Sequence, residues 1–176
     1  NIYDSLAVQA RGPFTMAQAS ADTSLRPLPY AVDSANALLD AAGWGRGADS
    51  QRRKGKIPLS FGILDPTTSV ARMRAAVLMQ EQFRRVGADV KIESADIAGF
   101  IGRMESRTFD TLLGGWAPDP GPGSVRDAWT TPAAVKGGNN HGAYRSPEFD
   151  AQVDSGVAAF DPATMRRHFA RAWRII

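Results

Sequence analysis

The stretch IPLSFGILDPTTSVARMRAAVLMQEQFRRVGADVKIES, residues 57–94, decides the fold. Ile57 to Leu64 is rich in β-forming residues and is bounded by Pro66. From Ser69 to Val86 the period changes. Val70, Met73, Ala76, Val77, Phe83 and Val86 recur near helical spacing, so one face of a helix is apolar. Gly87 stands where a left-handed residue closes a helix. From Ala88 to Glu93, Val90 and Ile92 alternate with charged Asp89, Lys91 and Glu93, the two-residue period of a strand. A strand, a helix and a second strand in close succession imply a parallel pair joined by a crossover.

The pattern continues outward. Asp96 opens a shorter predicted helix reaching about Ser106, and Phe109 to Trp116 reads as a third strand. The β-α-β-α-β order predicts an α/β fold, with a mostly parallel sheet, helices on both faces and right-handed crossovers. Ligands of such open sheets bind beyond the carboxyl ends of the strands. The third strand ends at Gly114-Gly115-Trp116, and the loop PDPGPG (118–123) follows. That end is the first place to look for a site.

Upstream, a helix is predicted at about Val32 to Ala42, capped by Asp33 and ended by Gly43. Residues 1–31 read as an irregular lead-in, and 46–56 as a solvated basic loop. Downstream, a short helix at Val125–Trp129 precedes the polar stretch GGNNHGAY (137–144). Two more helices are predicted, one over 146–159 and one from Asp161 onward, each with proline at its first position.

Composition narrows the function. The chain has 176 residues, two histidines and no cysteine, which excludes thiol catalysis, disulfides and cysteine-based metal sites. The net charge is +3, but Arg46–Lys56 alone contributes +4, so the remainder is slightly acidic. A nucleic-acid protein spreads its basic residues over a face or a helix, and no nucleic-acid partner is expected. No apolar run approaches the roughly 20 residues of a membrane span, and no signal peptide is visible. Both termini read as interior sequence, which suggests a piece of a longer chain. Gly55-Lys56 lacks the glycine spacing and hydroxyl of a phosphate loop. A G-x-S-x-G elbow is absent. His141 lies in a flexible Asn/Gly loop and His168 among arginines, and Asp150 and Asp154 fit an exposed helix face. No catalytic constellation emerges, and neither a cofactor nor a metal is expected.

Four segments carry a family resemblance. Pro29-Tyr30 followed by Ala35-Asn-Ala-Leu-Leu-Asp-Ala-Ala-Gly-Trp44 is one, and Ala75 to Gly87 followed by Val90-Lys-Ile92 is another. Phe109-Asp110 through Gly115-Trp116-Ala-Pro-Asp119 is the third, and Asn139-Asn140 through Tyr144-Arg-Ser-Pro-Glu-Phe-Asp150 the fourth. In this order they resemble the extracellular solute-binding proteins of family 5, the dipeptide-, oligopeptide- and nickel-type binding subunits of ABC importers.

The resemblance implies one lobe of a type II periplasmic-binding-protein fold, here a C-terminal-lobe fragment spanning 1–176. It implies a binding protein and not an enzyme, which captures a small ligand, a short peptide by preference, and delivers it to a membrane permease. It implies a periplasmic or extracellular place, with lipid anchoring of the longer chain an open alternative. By the same resemblance Asp119 pairs with a ligand's free amino terminus, and Pro118 and Pro120 hold its loop. Gly115 and Trp116 would line the cleft, although a core aromatic is an equal reading of Trp116. Asn139, Asn140 and Tyr144 are candidate contacts, or simply a surface loop entering a helix. Leu113 departs from the pattern, because some oligopeptide-binding members carry there an arginine that meets a ligand carboxyl end. Non-peptide ligands (a metal chelate, an opine, a sugar), an α/β hydrolase-like enzyme and a receptor feeding a sensor kinase stay open as alternatives.

Overall fold

A computed structural model of the chain describes residues 7–10, 12, 21, 24–115, 121, 123–135 and 137–176. The chain forms two compact units. One is built on 29–115, and the other gathers the described residues between 7 and 28 with those from 121 onward.

In the first unit, α1 spans Val32–Ala41, β4 Ser60–Pro66, α2 Val70–Arg85, β5 Asp89–Ala95, α3 Ile97–Ser106 and β6 Thr111–Leu112. β4 is the central strand, with β5 and β6 parallel to it on either side. The expected alternation is therefore present, with a third strand much shorter than 109–116. Phe61 and Ile63 of β4 share one face by the two-residue period. On it Ile63, Ala76, Ala88 and Val90 form a core with Phe61, Met79, Phe83 and Ile92 against them. Phe61 meets Phe83 of α2 edge to face, with ring centroids 5.2 Å apart. The opposite face lies under α3, where Glu93 of β5 pairs with Arg103. Ser69 caps α2 by accepting from the Arg72 amide, and Asp96 caps α3 by accepting from Gly99. α1 differs in detail. Ala31 is its N-cap without a side-chain bond, and Asp33 lies in the first turn, where its charge favours the helix N-terminus.

Residues 46–56 are mostly exposed, as expected of a solvated segment, but they include short strands and one buried arginine. β1 (Gly45–Arg46), β2 (Arg52–Lys54) and β3 (Ile57–Pro58) make an antiparallel three-stranded sheet. The predicted strand 57–64 is thus divided, with β3 in this small sheet and β4 in the parallel one. Arg52 is the reason. It is only 2% exposed. Its Nε donates to the Val86 carbonyl at 2.8 Å, and its Nη1 to Trp44 O and Asp40 Oδ1 at 2.5 Å each. Its Nη2 donates to Asn36 Oδ1 at 2.9 Å and Asn36 O at 3.5 Å. All five guanidinium hydrogens are used, tying α1, β2 and the end of α2 together. Gly87 fits here for two reasons. Its φ is +85°, and a Cβ would come within 2.7 Å of the Ser50 carbonyl.

The second unit is helical. α4 spans Gly123–Trp129, α5 Pro147–Ala158 and α6 Pro162–Ile175, with a 3-10 turn at Thr131–Ala133. Ser146 and Asp161 cap α5 and α6, and proline opens both, as the sequence predicts. Val125, Phe149, Val153, Phe169, Ala172 and Trp173 form its core. Gly156 lets α6 come close, because a Cβ would lie 2.9 Å from the Phe169 ring. Among the described residues, no helix is long and apolar enough to cross a membrane.

Candidate functional site

The carboxyl ends of β4, β5 and β6 define the edge at which a sheet of this kind takes ligands. Pro66, Ala95 and Leu112 end the three strands. Two residues the sequence reading missed stand at this edge. Asp65, the penultimate residue of β4, is fully buried, and among the described residues neither carboxylate oxygen has a hydrogen-bond partner. By strand period it shares the core face with Phe61 and Ile63. A charged residue at an apolar position was the available signal. Burial pushes its carboxyl up from the ordinary range, and the charge of Arg72 partly opposes that.

Arg72 is the third residue of α2 and half-buried. Its guanidinium packs against Gly115, where a Cβ would collide with it. The sequence reading placed Gly115 in the cleft wall, and the structure sets the end of the Arg72 side chain against it. Leu113 donates its amide to the Leu64 carbonyl at 2.9 Å and packs on the core beneath α2. An apolar side chain suits that inward position.

Trp116 and Asp119 lie outside the described residues. Asn139, Asn140 and Tyr144 belong to the second unit. Asn140 is 2% exposed. Its Nδ2 lies within 3.2 Å of the carbonyls of Trp129, Thr130 and Tyr144, and its Oδ1 accepts the Tyr144 amide at 3.0 Å. Every polar group of this side chain is engaged in holding the loop. Tyr144 packs on the helical core, its ring edge to face with Phe149 at 5.6 Å. Asn139 is exposed and its carbonyl accepts the His141 amide. Asp150 accepts the Thr131 amide, and Asp154 pairs with Arg126, so both carboxylates serve structure. His168 meets Gln152 at 2.9 Å. Among the described residues, no three acidic or histidine side chains converge as metal ligands would.

An apolar groove of about 300 Å³ lies between Tyr30, Ala35, Met79, Phe83 and Val86. Val86 follows the C-terminus of α2, so the groove is at the far end of that helix from Arg72.

Comparison with known proteins places these features in a family. The profile of the bacterial extracellular solute-binding proteins, family 5, middle region, matches residues 1–137. The oligopeptide-binding protein OppA of Mycobacterium tuberculosis is 25% identical over 138 residues, which is 78% of this chain and 22% of that protein. Among solved structures, the oligopeptide-binding protein AppA of Bacillus subtilis, in complex with a nonapeptide, superimposes with a TM-score of 0.85 at 21% identity. The match covers 95% of this chain and 34% of that one. NikZ of Campylobacter jejuni, in complex with Ni(L-His), gives 0.77 at 20% identity, covering 84% of this chain and 30% of that one. The chain thus spans about a quarter of the length of the curated relatives it matches.

Proposed function

We propose, from the premise that this chain belongs to the bacterial extracellular solute-binding proteins of family 5, that it forms part of the ligand-capturing body of an importer's binding subunit. It performs no chemistry on the ligand. The ligand is enclosed by hinge closure of two lobes and handed to a membrane permease. The observation that carries this reading is the family match over residues 1–137. The compartment that goes with it is periplasmic or extracellular.

A short peptide is the favoured ligand, with Asp119 as the acid that meets its ammonium group. Flanking prolines limit the entropy lost on binding, and a charge-assisted bond in a dry cleft contributes about 1.5–3 kcal/mol. The test is calorimetric titration of the full-length protein and its Asp119→Asn variant with a defined peptide mixture. The variant is expected to bind about 10- to 100-fold more weakly. Equal affinities would overturn the assignment. A second reading, a metal chelate, is supported by the likeness to NikZ. Mass spectrometry of ligand co-purified with the full-length protein separates the two.

A further inference from the structure

We propose that the basic run 46–56 folds into a docking surface for an anionic bilayer, at the end of the first unit opposite its ligand edge. The inference goes beyond the ligand reading above and does not depend on which solute is bound. It starts from position. β3 leads directly into β4, so the small sheet lies at the amino end of the parallel strands. Helix α2 runs back from the carboxyl end to the amino end, as a crossover between parallel strands must. Its last residues, Arg84 and Arg85, therefore arrive beside the small sheet. Two bonds fix the junction. Arg46 Nη2 donates to the Arg85 carbonyl at 2.6 Å, and the Arg52 amide donates to the Gly87 carbonyl at 2.8 Å. The 16 residues of α2 put this end about 24 Å from the ligand edge.

The acids at this end are committed. Asp40 pairs with Arg52, Asp49 with Arg53, and Glu81 with Arg84 and, more loosely, Arg85. Asp89 accepts from the Ser60 hydroxyl. That leaves Arg46, Lys54 and Lys56 exposed and, among the described residues, without an acidic partner. With these groups set aside, the rest of the chain has cations and acids in equal number, so its excess of three positive charges belongs to this surface. The chemistry favours lipid over protein. Lysine is depleted at protein interfaces, which rest on aromatic and arginine anchors seated in pockets. Flexible lysines on a turn suit a fluid array of phosphates instead. Gly55, with φ +61°, makes that turn between Lys54 and Lys56. Ile57 is 66% exposed and is the cross-strand partner of Lys54. An aliphatic side chain thus stands among the cations, placed to enter the headgroup layer while the lysines reach the phosphates. With this end on the bilayer, the carboxyl ends of β4, β5 and β6 point away from it.

The test is cosedimentation of the full-length protein with vesicles of phosphatidylcholine alone and of phosphatidylcholine and phosphatidylglycerol in equal parts. The ratio of the two affinities is the readout. Each uncommitted cation near a charged surface contributes about a fivefold preference, so the native protein is expected to favour the anionic vesicles by about 100-fold at low salt. In about 1 M salt the Debye length is about 3 Å, and the preference is expected to vanish. Lys54→Gln combined with Lys56→Gln is expected to lower the ratio to about fivefold. Arg74→Gln combined with Arg166→Gln, exposed changes of equal charge elsewhere, is expected to leave it unchanged. Ile57→Trp is expected to gain quenching by brominated lipid in anionic vesicles. Native protein without a preference overturns the inference. So does a preference that survives the double lysine change, or one that both double variants reduce alike. An Ile57→Trp variant that binds anionic vesicles without quenching overturns the lipid assignment in favour of an acidic protein partner. Ligand titrations free of vesicles are expected to be the same for the native protein and the double lysine variant, so failure here leaves the binding-protein reading standing.

Discussion

Replacing Arg52 with alanine is expected to destabilise the first unit more than any other single change to a charged residue in it. The side chain is 2% exposed and makes five hydrogen bonds. Two go to the main-chain carbonyls of Val86 and Trp44, which alanine would leave without their donor. Hydrogen bonds to a charged group contribute about 1.5–3 kcal/mol each when taken singly. They do not add, because Asp40 is 62% exposed and rehydrates when its partner leaves. The loss expected on deleting one partner of such a buried network is about 3–5 kcal/mol. Most of it belongs to the carbonyl contacts, since an exposed ion pair contributes about 1 kcal/mol or less. Asp40→Asn is therefore expected to cost under about 1 kcal/mol. Arg52→Lys keeps the charge but has three donors in place of five and is expected to fall close to alanine. Hydrogen exchange of the β4 and β5 amides measures all three locally. Thermal melts provide a second reading, because a domain of this size loses about 4–8 °C per kcal/mol. If Arg52→Ala cost no more than Asp40→Asn, the account of Arg52 as the joint of α1, β2 and the end of α2 would be wrong.

Two further changes separate structure from function. Asn140→Ala removes a buried amide that holds the carbonyls of Trp129, Thr130 and Tyr144 and the Tyr144 amide and is expected to cost the helical unit about 2–4 kcal/mol in urea unfolding. An undiminished midpoint would return Asn140 to the list of ligand contacts. Asp65→Asn is expected to raise stability at neutral pH by about 1–3 kcal/mol. The sign follows from linkage. Burial raises the folded-state pKa, so the ionised acid opposes folding above that value, and the penalty disappears as pH falls below the unfolded-state value. Unfolding curves of the two proteins should converge below the ordinary carboxyl range, and a gap that widens there would refute the reading.

The strand–helix–strand order at 57–94 was legible because its signals are local. The helical period of Val70 to Val86, the alternation around Val90, the helix start at Asp96, Gly87 and the proline openings of α5 and α6 each depend on neighbours a few residues away. The site was less legible. Gly115 was singled out, but for what flanks it in sequence, and the structure makes it the seat of an arginine 43 positions earlier. Asn140 and Tyr144 carried ligand-like chemistry in a polar loop, and their partners proved to be inside the helical unit.

By itself, then, the sequence determined the α/β alternation and the proline openings of the last two helices, since period and helix starts are properties of short segments. Only the tertiary structure decided which charges are buried. Arg52 and Arg53 are adjacent residues of one basic run, yet Arg52 is sealed against the Val86 carbonyl while Arg53 pairs with Asp49 at the surface. Desolvation and distant acceptors set that difference, and neither is written into the spacing of a charge run. The same holds for Asp65, an acid that the tertiary structure buries at the end of strand β4.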